Sequence, residues 1–308
     1  MKKLKKPGNS SGSNIKNKVK KVCFIITAAA LLVFLTGAAA VFYILVPYPR
    51  RRVHTIPENN LATVKSFDNL DLAAELVMQT HESHKWAVLI HSYRTDHTVM
   101  HKFGQRYFSR GYNLLYPDNR AHGNSGGAFI GMGYLDRLDI LAWIEYILKM
   151  DPEAEIILHG LSMGASTALM VSGIDDPALD HVRAVIADCG PASAESYLTN
   201  KLKQRFHLPP FPLLPIANIA AKIAAGYYLE EASTVEFAKK SRTPALIIHG
   251  DVDESVPVNN AYTLYDAVPV RKELLIVKGA GHSECSVVDP EEYWITVSNF
   301  IEGKSIHG

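Results

Sequence analysis

The stretch EIILHGLSMGASTALMVSG, residues 155–173, contains one serine between two glycines, Ser162 in Gly160-Leu161-Ser162-Met163-Gly164. The apolar run before this serine predicts a buried β-strand, and the residues after it predict an α-helix. A Gly-x-Ser-x-Gly match alone is weak, because chance supplies about 0.1 matches in a chain of this length. A strand, a sharp turn of small residues and a helix are, however, what a nucleophile elbow requires. This context makes Ser162 a candidate nucleophile.

A serine hydroxyl is a weak nucleophile unless a base activates it, and the usual base is a histidine held by a carboxylate. Downstream, ALIIHGDVDESVP (245–257) predicts a strand followed by an acid-rich turn. LLIVKGAGHSE (274–284) predicts a further strand, followed by a glycine-rich loop that contains His282. The chain order serine, acid, histidine fits, and the residues leave three acids open: Asp251, Asp253 and Glu254.

Short apolar runs alternate with helical patterns after residue 60. The predicted strands are Leu72–Gln79, Trp86–His91, Tyr112–Tyr116, Glu155–His159, Val182–Asp188, Ala245–His249 and Glu273–Val277. The predicted helices are Thr98–Arg110, Leu135–Met150, Ser162–Ser172 and Asn259–Ala267. This alternation predicts an α/β fold with a mostly parallel central sheet flanked by helices, in which the chemistry lies at the carboxyl ends of the strands.

Residues 191–241 interrupt the alternation, since they contain no clear strand and include the proline-rich stretch HLPPFPLLP (207–215). An insert of this length predicts a helical cap, which excludes water and shapes the substrate pocket. The alternative is a structural excursion without a role in substrate binding.

Five stretches together resemble the α/β-hydrolase-fold serine hydrolases. The branch that they resemble most is the bacterial membrane-anchored or secreted esterase-like branch related to serine aminopeptidases. The stretches are LIHSYRTDHTVM (89–100), YPDNRAHGNSGG (116–127), HGLSMGAS (159–166), HGDVDESVP (249–257) and KGAGHSE (278–284). The resemblance covers about residues 60–303 and implies catalysis through an acyl-enzyme without a cofactor.

The resemblance implies a catalytic triad of Ser162 as nucleophile, His282 as general base and Asp253 as the acid that orients the histidine. The family's acid precedes a Val-Pro pair by three residues, which here selects Asp253. The backbone N–H of Met163, placed by the elbow, and that of Tyr93, placed by the resemblance, would form the oxyanion hole. Ser92 stands where the family usually has a glycine, and this departure concerns the oxyanion hole because glycine permits backbone angles that serine resists.

The substrate that we expect is a carboxylic ester with an apolar group, because the insert is rich in Leu, Phe, Pro and Ala. Two alternatives remain open. One is a peptidase or amidase of the serine aminopeptidase type. The other is an inactive hydrolase-fold protein that only binds a ligand.

Other histidines and charged residues lead to structural predictions. His97 and His101 are four apart on a predicted helix, a spacing that can bind metal, but no third ligand is evident and we predict a solvated helix face and no metal site. Arg120 and His122 resemble family positions that hold loops together. The cysteines Cys23, Cys189 and Cys285 do not form a disulfide framework, so we expect isolated thiols rather than a bridge between the last two.

The sequence pattern near the N-terminus predicts a membrane anchor. Residues 1–21 carry eight lysines and no acid, and residues 22–46 carry no charge over 25 residues, enough to span a bilayer as a helix. Residues 47–60 read as a linker to a hydrolase domain at 61–308. The lysine excess before the span favours a single-pass protein with the hydrolase domain outside the cytoplasm. The alternative is secretion after signal-peptide cleavage near Ala40.

The charge balance argues against a nucleic-acid partner. The chain's 32 basic residues include the eight lysines of the tail, which leaves 24 basic against 31 acidic residues and a net charge of −7 for the remainder. A nucleic-acid-binding domain would need a basic face.

Overall fold

The computed structural model describes residues 10–46 and 54–304. The first nine residues of the predicted basic tail and residues 47–53 of the predicted linker, with the three arginines at 50–52, lie outside the described residues. The domain boundaries given above therefore remain predictions.

The elements alternate along the chain after the first helix. The strands are β1 (Leu61–Lys65), β2 (Asp71–Val77), β3 (Lys85–Ile90), β4 (Asn113–Pro117), β5 (Glu155–Leu161), β6 (Val182–Asp188), β7 (Ala245–Gly250) and β8 (Lys272–Val277). The α-helices within the described residues are α1 (Ser10–Leu45), α2 (His101–Phe108), α3 (Asp136–Met150), α4 (Met163–Ser172), α5 (Ala194–Phe206), α6 (Pro210–Ala225), α7 (Thr234–Ala238), α8 (Asn259–Ala267), α9 (Cys285–Val288) and α10 (Pro290–Ile301).

The strands form one eight-stranded sheet in the order β1-β2-β4-β3-β5-β6-β7-β8. Strands β3 to β8 run parallel, whereas β1 and β2 add an antiparallel edge. The predicted mostly parallel α/β architecture is therefore confirmed. β1 was not predicted, because its five residues directly follow the proline-rich linker and bury only one side chain fully.

Both faces of the sheet are covered by helices, so the strand side chains divide between two buried clusters. In β3, Trp86, Val88 and Ile90 belong to the cluster under α3, α4 and α8. Ala87 and Leu89 point the other way, into the cluster under α2 and α10. Because both faces are buried, these strands read as continuous apolar runs rather than as alternating ones.

The insert between β6 and β7 is helical, as the sequence predicts. α5 and α6 form the cap above the carboxyl ends of the strands, while α7 returns the chain to the body against α4 and α8. On the other side of the cap, α6 packs against α1. The two helices approach closely at Gly37, where a Cβ atom would lie only 2.7 Å from Ile216 Cγ2.

α1 contains a 22-residue stretch, Lys16–Gly37, with a mean hydropathy of 2.1, which is exposed apart from the half-buried Val33 and the buried Gly37. This stretch is long and apolar enough to span a membrane or to serve as a signal sequence. The predicted span at 22–46 lies within this helix apart from its last residue.

Candidate active site

Ser162 lies in a strained turn between β5 and α4. Its φ of +55° and ψ of −111° place it in a region that residues other than glycine rarely adopt. The flanking glycines permit this turn: a Cβ at Gly160 would lie 2.0 Å from the carbonyl oxygen of Gly164, and a Cβ at Gly164 would lie 2.1 Å from that of Ile90. No side chain fits at either position, and the turn lifts the Ser162 hydroxyl above the end of the sheet.

Three of the predicted site residues meet at the carboxyl ends of their strands. Ser162 Oγ lies 2.9 Å from His282 Nε2, and His282 Nδ1 lies 2.7 Å from Asp253 Oδ2. The Asp253 side chain is fully buried, whereas the His282 side chain keeps 27% of its surface exposed. The hydroxyl, the imidazole and the carboxylate therefore form one chain of hydrogen bonds that is buried at the carboxylate and partly exposed at the imidazole.

Asp253 is held by two further contacts besides His282. Its Oδ1 accepts the backbone N–H of Val256 at 2.8 Å, and its Oδ2 lies 3.3 Å from Nε2 of the buried His249. Burial alone would raise the pKa of Asp253, but the hydrogen bonds from His249 and His282 hold it well below its usual range. Asp253 is thus an anion where it accepts the hydrogen bond from His282 Nδ1.

The other two candidate acids have structural contacts instead. Asp251 Oδ1 accepts the backbone N–H of Gly279 at 2.6 Å and so joins the turns after β7 and β8. Glu254 offers its backbone carbonyl to Asn200 of the cap. Neither replaces Asp253 beside His282.

The predicted oxyanion donors lie on two segments that the fold brings together. Met163 is the first residue of α4, where N–H groups have no partner within the helix. The close approach of Gly164 to Ile90 sets the end of β3 against this helix start, two residues before Ser92. Ser92 is not among the residues with positive φ, and the left-handed conformation falls on Arg94 instead. A serine is therefore accommodated at 92 without glycine-like backbone angles.

The loop after β4 is held by contacts of Arg120 and His122, as the resemblance implies. Arg120 makes two hydrogen bonds to Asp139, at 2.6 and 2.7 Å, and two to Asp68, at 3.0 and 3.1 Å. His122 accepts the backbone N–H of Arg94 at 3.0 Å. These contacts join the loop to the segment that carries Tyr93 and so hold one side of the site in place.

The predicted solvated face at His97 and His101 is wrong for His97, which is only 2% exposed. Its Nδ1 lies 3.0 Å from the buried Asp118. A carboxylate that the sequence did not reveal, Glu75 on β2, lies 2.7 Å from His101 Nε2 and 3.8 Å from His97 Nε2. These three ligand atoms could surround a metal ion, but the distances are those of hydrogen-bonded His–carboxylate pairs.

The cap contacts both sides of the candidate site. Asn200 on α5 donates to the carbonyls of Glu254 and Ser255, each at 2.9 Å, directly after the acid. Tyr197 on α5 packs edge-on against Tyr93, with ring centroids 6.2 Å apart. α5 therefore links the acid turn to the oxyanion segment.

A buried polar network lies behind the nucleophile, and no sequence pattern predicted it. Tyr293 on α10 donates to Asp188 at the end of β6 and contacts His159 on β5, both at 3.0 Å. Tyr107 on α2 contacts the other ring nitrogen of His159 at 2.9 Å. Burial raises the pKa of Asp188 to about 6 and lowers that of His159 to about 3. Asp188 also accepts the backbone N–H of Ser162 at 2.7 Å through its carbonyl, so the network supports the elbow from below.

Residues 99–294, more than half of the chain, match the family model described as the prolyl oligopeptidase family. The chain belongs to that family. A relative, the uncharacterised protein YqkD of Bacillus subtilis, is 30% identical over 223 residues, which cover 72% of each chain.

Two solved structures have a fold similar to that of this chain. The Pyrococcus furiosus esterase Pf2001 matches with a TM-score of 0.68 at 22% identity, covering 84% of this chain and 98% of that one. The Pyrococcus horikoshii acylaminoacyl peptidase matches with a TM-score of 0.58 at 19% identity, covering 81% of this chain and 42% of that one. These likenesses show the α/β-hydrolase fold, and with the family membership they identify the protein as a serine hydrolase.

Proposed function

We propose that the protein hydrolyses carboxylic esters through an acyl-enzyme formed on Ser162. The observation that carries the proposal is the continuous hydrogen-bonded chain from Ser162 Oγ through His282 to Asp253. The serine is strained, and its base has an anionic partner on the far ring nitrogen. This is the geometry of an activated serine nucleophile.

The reaction follows from which atoms hold the protons. Asp253 accepts a hydrogen bond from the Nδ1–H of His282, so His282 Nε2 is free to take the proton of Ser162 as its oxygen attacks the ester carbonyl. The N–H groups of Met163 and Tyr93 stabilise the oxyanion, at about 3 kcal/mol per donor. The ester C–O bond then breaks, His282 returns the proton to the leaving alcohol, and water releases the acyl group by the same route.

The preference for an ester with an apolar group rests on the cap. Met163, next to the nucleophile, shares a buried cluster with Leu198 of α5, with Ala217 of α6 and with Ile130. Apolar side chains thus lie next to the nucleophile, which suits an acyl or alcohol group without charge.

Amide or peptide hydrolysis is the second candidate. It is favoured by the family membership and by the likeness to an acylaminoacyl peptidase. The same three residues would carry it, with an amine as the leaving group. An inactive protein that only binds a ligand would need no strained serine beside a histidine.

For the location, we propose a single-pass membrane protein with a cytoplasmic N-terminus and an extracytoplasmic hydrolase domain. The apolar stretch of α1 and the lysines before it support this topology. Cleavage near Ala40 would remove the segment of α1 that contacts α6 at Gly37, which favours the anchored form over the secreted one.

The test uses the full chain in detergent with p-nitrophenyl esters from acetate to decanoate, beside aminoacyl p-nitroanilides. We expect ester turnover that Ser162→Ala abolishes, and labelling of Ser162 by a fluorophosphonate in the unmodified protein only. Faster turnover of the anilides would favour the peptidase. No turnover of either class, together with no labelling, would leave the binding protein as the better account.

A further inference from the structure

The cap helix α6 carries apolar side chains on its inner and its outer face. Its inner face buries Leu213, Ala217 and Ala221 against the body. Its outer face leaves Ile219 and Ile223 exposed, at 56% and 82% of their surface. Exposed apolar side chains that lie together mark a contact surface for a protein or a membrane.

The outer face is formed by two isoleucines. Ile219 and Ile223 are four residues apart and so lie on one side of the helix. The helix has one charged residue, Lys222, whose Nζ reaches back to the carbonyl of Gly226 at 2.9 Å and to Glu231 at 3.8 Å. Among the described residues, none covers Ile219 and Ile223, which together form what we call the outer face of α6.

The contact between α6 and α1 indicates where α6 lies relative to a membrane that α1 would span. Residues 22–46 carry no charge, and about 20 residues of helix suffice to cross a hydrocarbon core of about 30 Å. Counted from Lys21, that length ends at about residue 41, so Gly37 lies about 6 Å inside the boundary of the bilayer on the hydrolase side. α6 packs against α1 at this residue, so α6 is placed at the same boundary.

The inner face of α6 leads to the nucleophile. Ala217 and Ala221 belong to the buried cluster that contains Met163, the residue after Ser162. One helix therefore separates the predicted bilayer surface from the acyl site, with apolar side chains on both of its faces.

We propose that the outer face of α6 rests in the acyl-chain boundary of the bilayer, and that Ser162 acts on ester-linked acyl chains of membrane lipids that reach it beside the cap. The substrate part of this proposal rests on the proposed function, whereas the docking part does not. The acyl carbon leaves the lipid oxygen for Ser162, the lipid alcohol takes the proton from His282, and water then releases a fatty acid.

The docking part is tested with tryptophan fluorescence of the full chain in phosphatidylethanolamine–phosphatidylglycerol vesicles doped with a phosphatidylcholine brominated near the top of its acyl chains. The three native tryptophans are buried in the body and give a constant background. We expect the additional emission of Ile219→Trp to be quenched. The matched control is Ile295→Trp, since Ile295 is 53% exposed on α10, and its emission should not be quenched.

Equal quenching in the two variants, or none in either, would overturn the docking. A blue-shifted but unquenched Ile219→Trp emission would also overturn it and would indicate that a second copy of the chain or another protein covers α6.

The substrate part is tested with Ile219→Ser/Ile223→Ser against Ile295→Ser. We expect hydrolysis of a fluorogenic diacyl phospholipid in vesicles to fall about tenfold in the double variant, the factor that corresponds to about 1.4 kcal/mol of lost burial. Hydrolysis of p-nitrophenyl acetate should stay unchanged, which also shows that the variant folds. Full acetate activity with no lipid hydrolysis in the unmodified protein would refute the lipid substrate alone, whereas no activity on either ester would refute the proposed function.

Discussion

Asp253 has two histidine neighbours, and only one of them contacts the nucleophile. His282 bridges to Ser162, whereas the buried His249 reaches both Asp253 and the carbonyl of Val256, the latter at 2.8 Å. The acid is therefore held in place even when His282 moves. The resemblance to the family selected Asp253 through its distance from the Val-Pro pair, but the sequence gave no indication of His249, because that contact depends on how the turn folds back.

Replacing Asp253 by Asn should test its part in the chemistry. Asn preserves the shape but not the charge that selects the His282 tautomer, so we expect kcat for p-nitrophenyl esters to fall by about 10⁴. His249→Gln should cost much less, because His249 only holds Asp253 in place. A loss for His249→Gln as large as that for Asp253→Asn would contradict these assignments.

Asp118 gives a prediction for the pH dependence of stability. Burial alone would raise its pKa, but the hydrogen bond from His97 and the other contacts hold it far below the usual range. The folded state thus binds fewer protons at this group than the unfolded state, so its stabilising effect is present above about pH 4 and is lost as the pH falls further. Urea unfolding from pH 6 to pH 3 should show a steeper loss for the unmodified protein than for Asp118→Asn. Equal slopes would show that Asp118 has no perturbed pKa.

At the scale of elements, the local patterns predicted the central strands well. β5, β6 and β7 are mainly apolar runs. Ser162 follows β5, Asp188 ends β6, and the turn with Asp253 follows β7. β1 was missed because its residues sit at an exposed sheet edge. α10 was not predicted, although Asp289 and Pro290 mark its start. The Tyr293 network was therefore not predicted either, because contacts between distant elements leave no local pattern in the sequence.

The turn between β5 and α4 should tolerate no side chain at its glycines. A Cβ at residue 160 would overlap the backbone of Gly164, and backbone cannot rotate away as a side chain can. We expect Gly160→Ala to lower the free energy of unfolding by about 3 kcal/mol or more and to abolish fluorophosphonate labelling of Ser162. Gly279→Ala is a suitable control, because no atom lies within 4 Å of its Cβ position, although its positive φ carries a smaller cost. Comparable losses in urea unfolding would contradict the steric argument.

At the scale of the whole molecule, the sheet and the anchor are joined through the cap. The sequence predicted the span and the cap separately, each from its own composition. It could not predict that α1 packs on α6, because the contact between Gly37 and Ile216 joins segments about 180 residues apart.

Gly37→Val should separate the membrane anchoring by α1 from the packing of α1 on α6. The variant keeps the span apolar, but its side chain would meet Ile216, whose Cγ2 would lie 2.7 Å from the new Cβ. We expect membrane retention to be unchanged, hydrolysis of p-nitrophenyl acetate to be unchanged, and hydrolysis of vesicle lipids to fall severalfold. Ala29→Val, in a fully exposed part of α1, is the control. Equal lipid hydrolysis in both variants would show that the packing of α1 on α6 has no role in function.

The exposed outer face of α6 also affects how the protein behaves in a test tube. A chain shortened to begin at His54 would lose α1 and uncover Ile216 as well, on the same side of α6 as Ile219 and Ile223. Apolar patches of this kind favour self-association in water. Such a truncated protein should elute from a gel-filtration column as aggregates unless a mild detergent is present, and polar residues at 219 and 223 should restore a monomer without touching the acyl site.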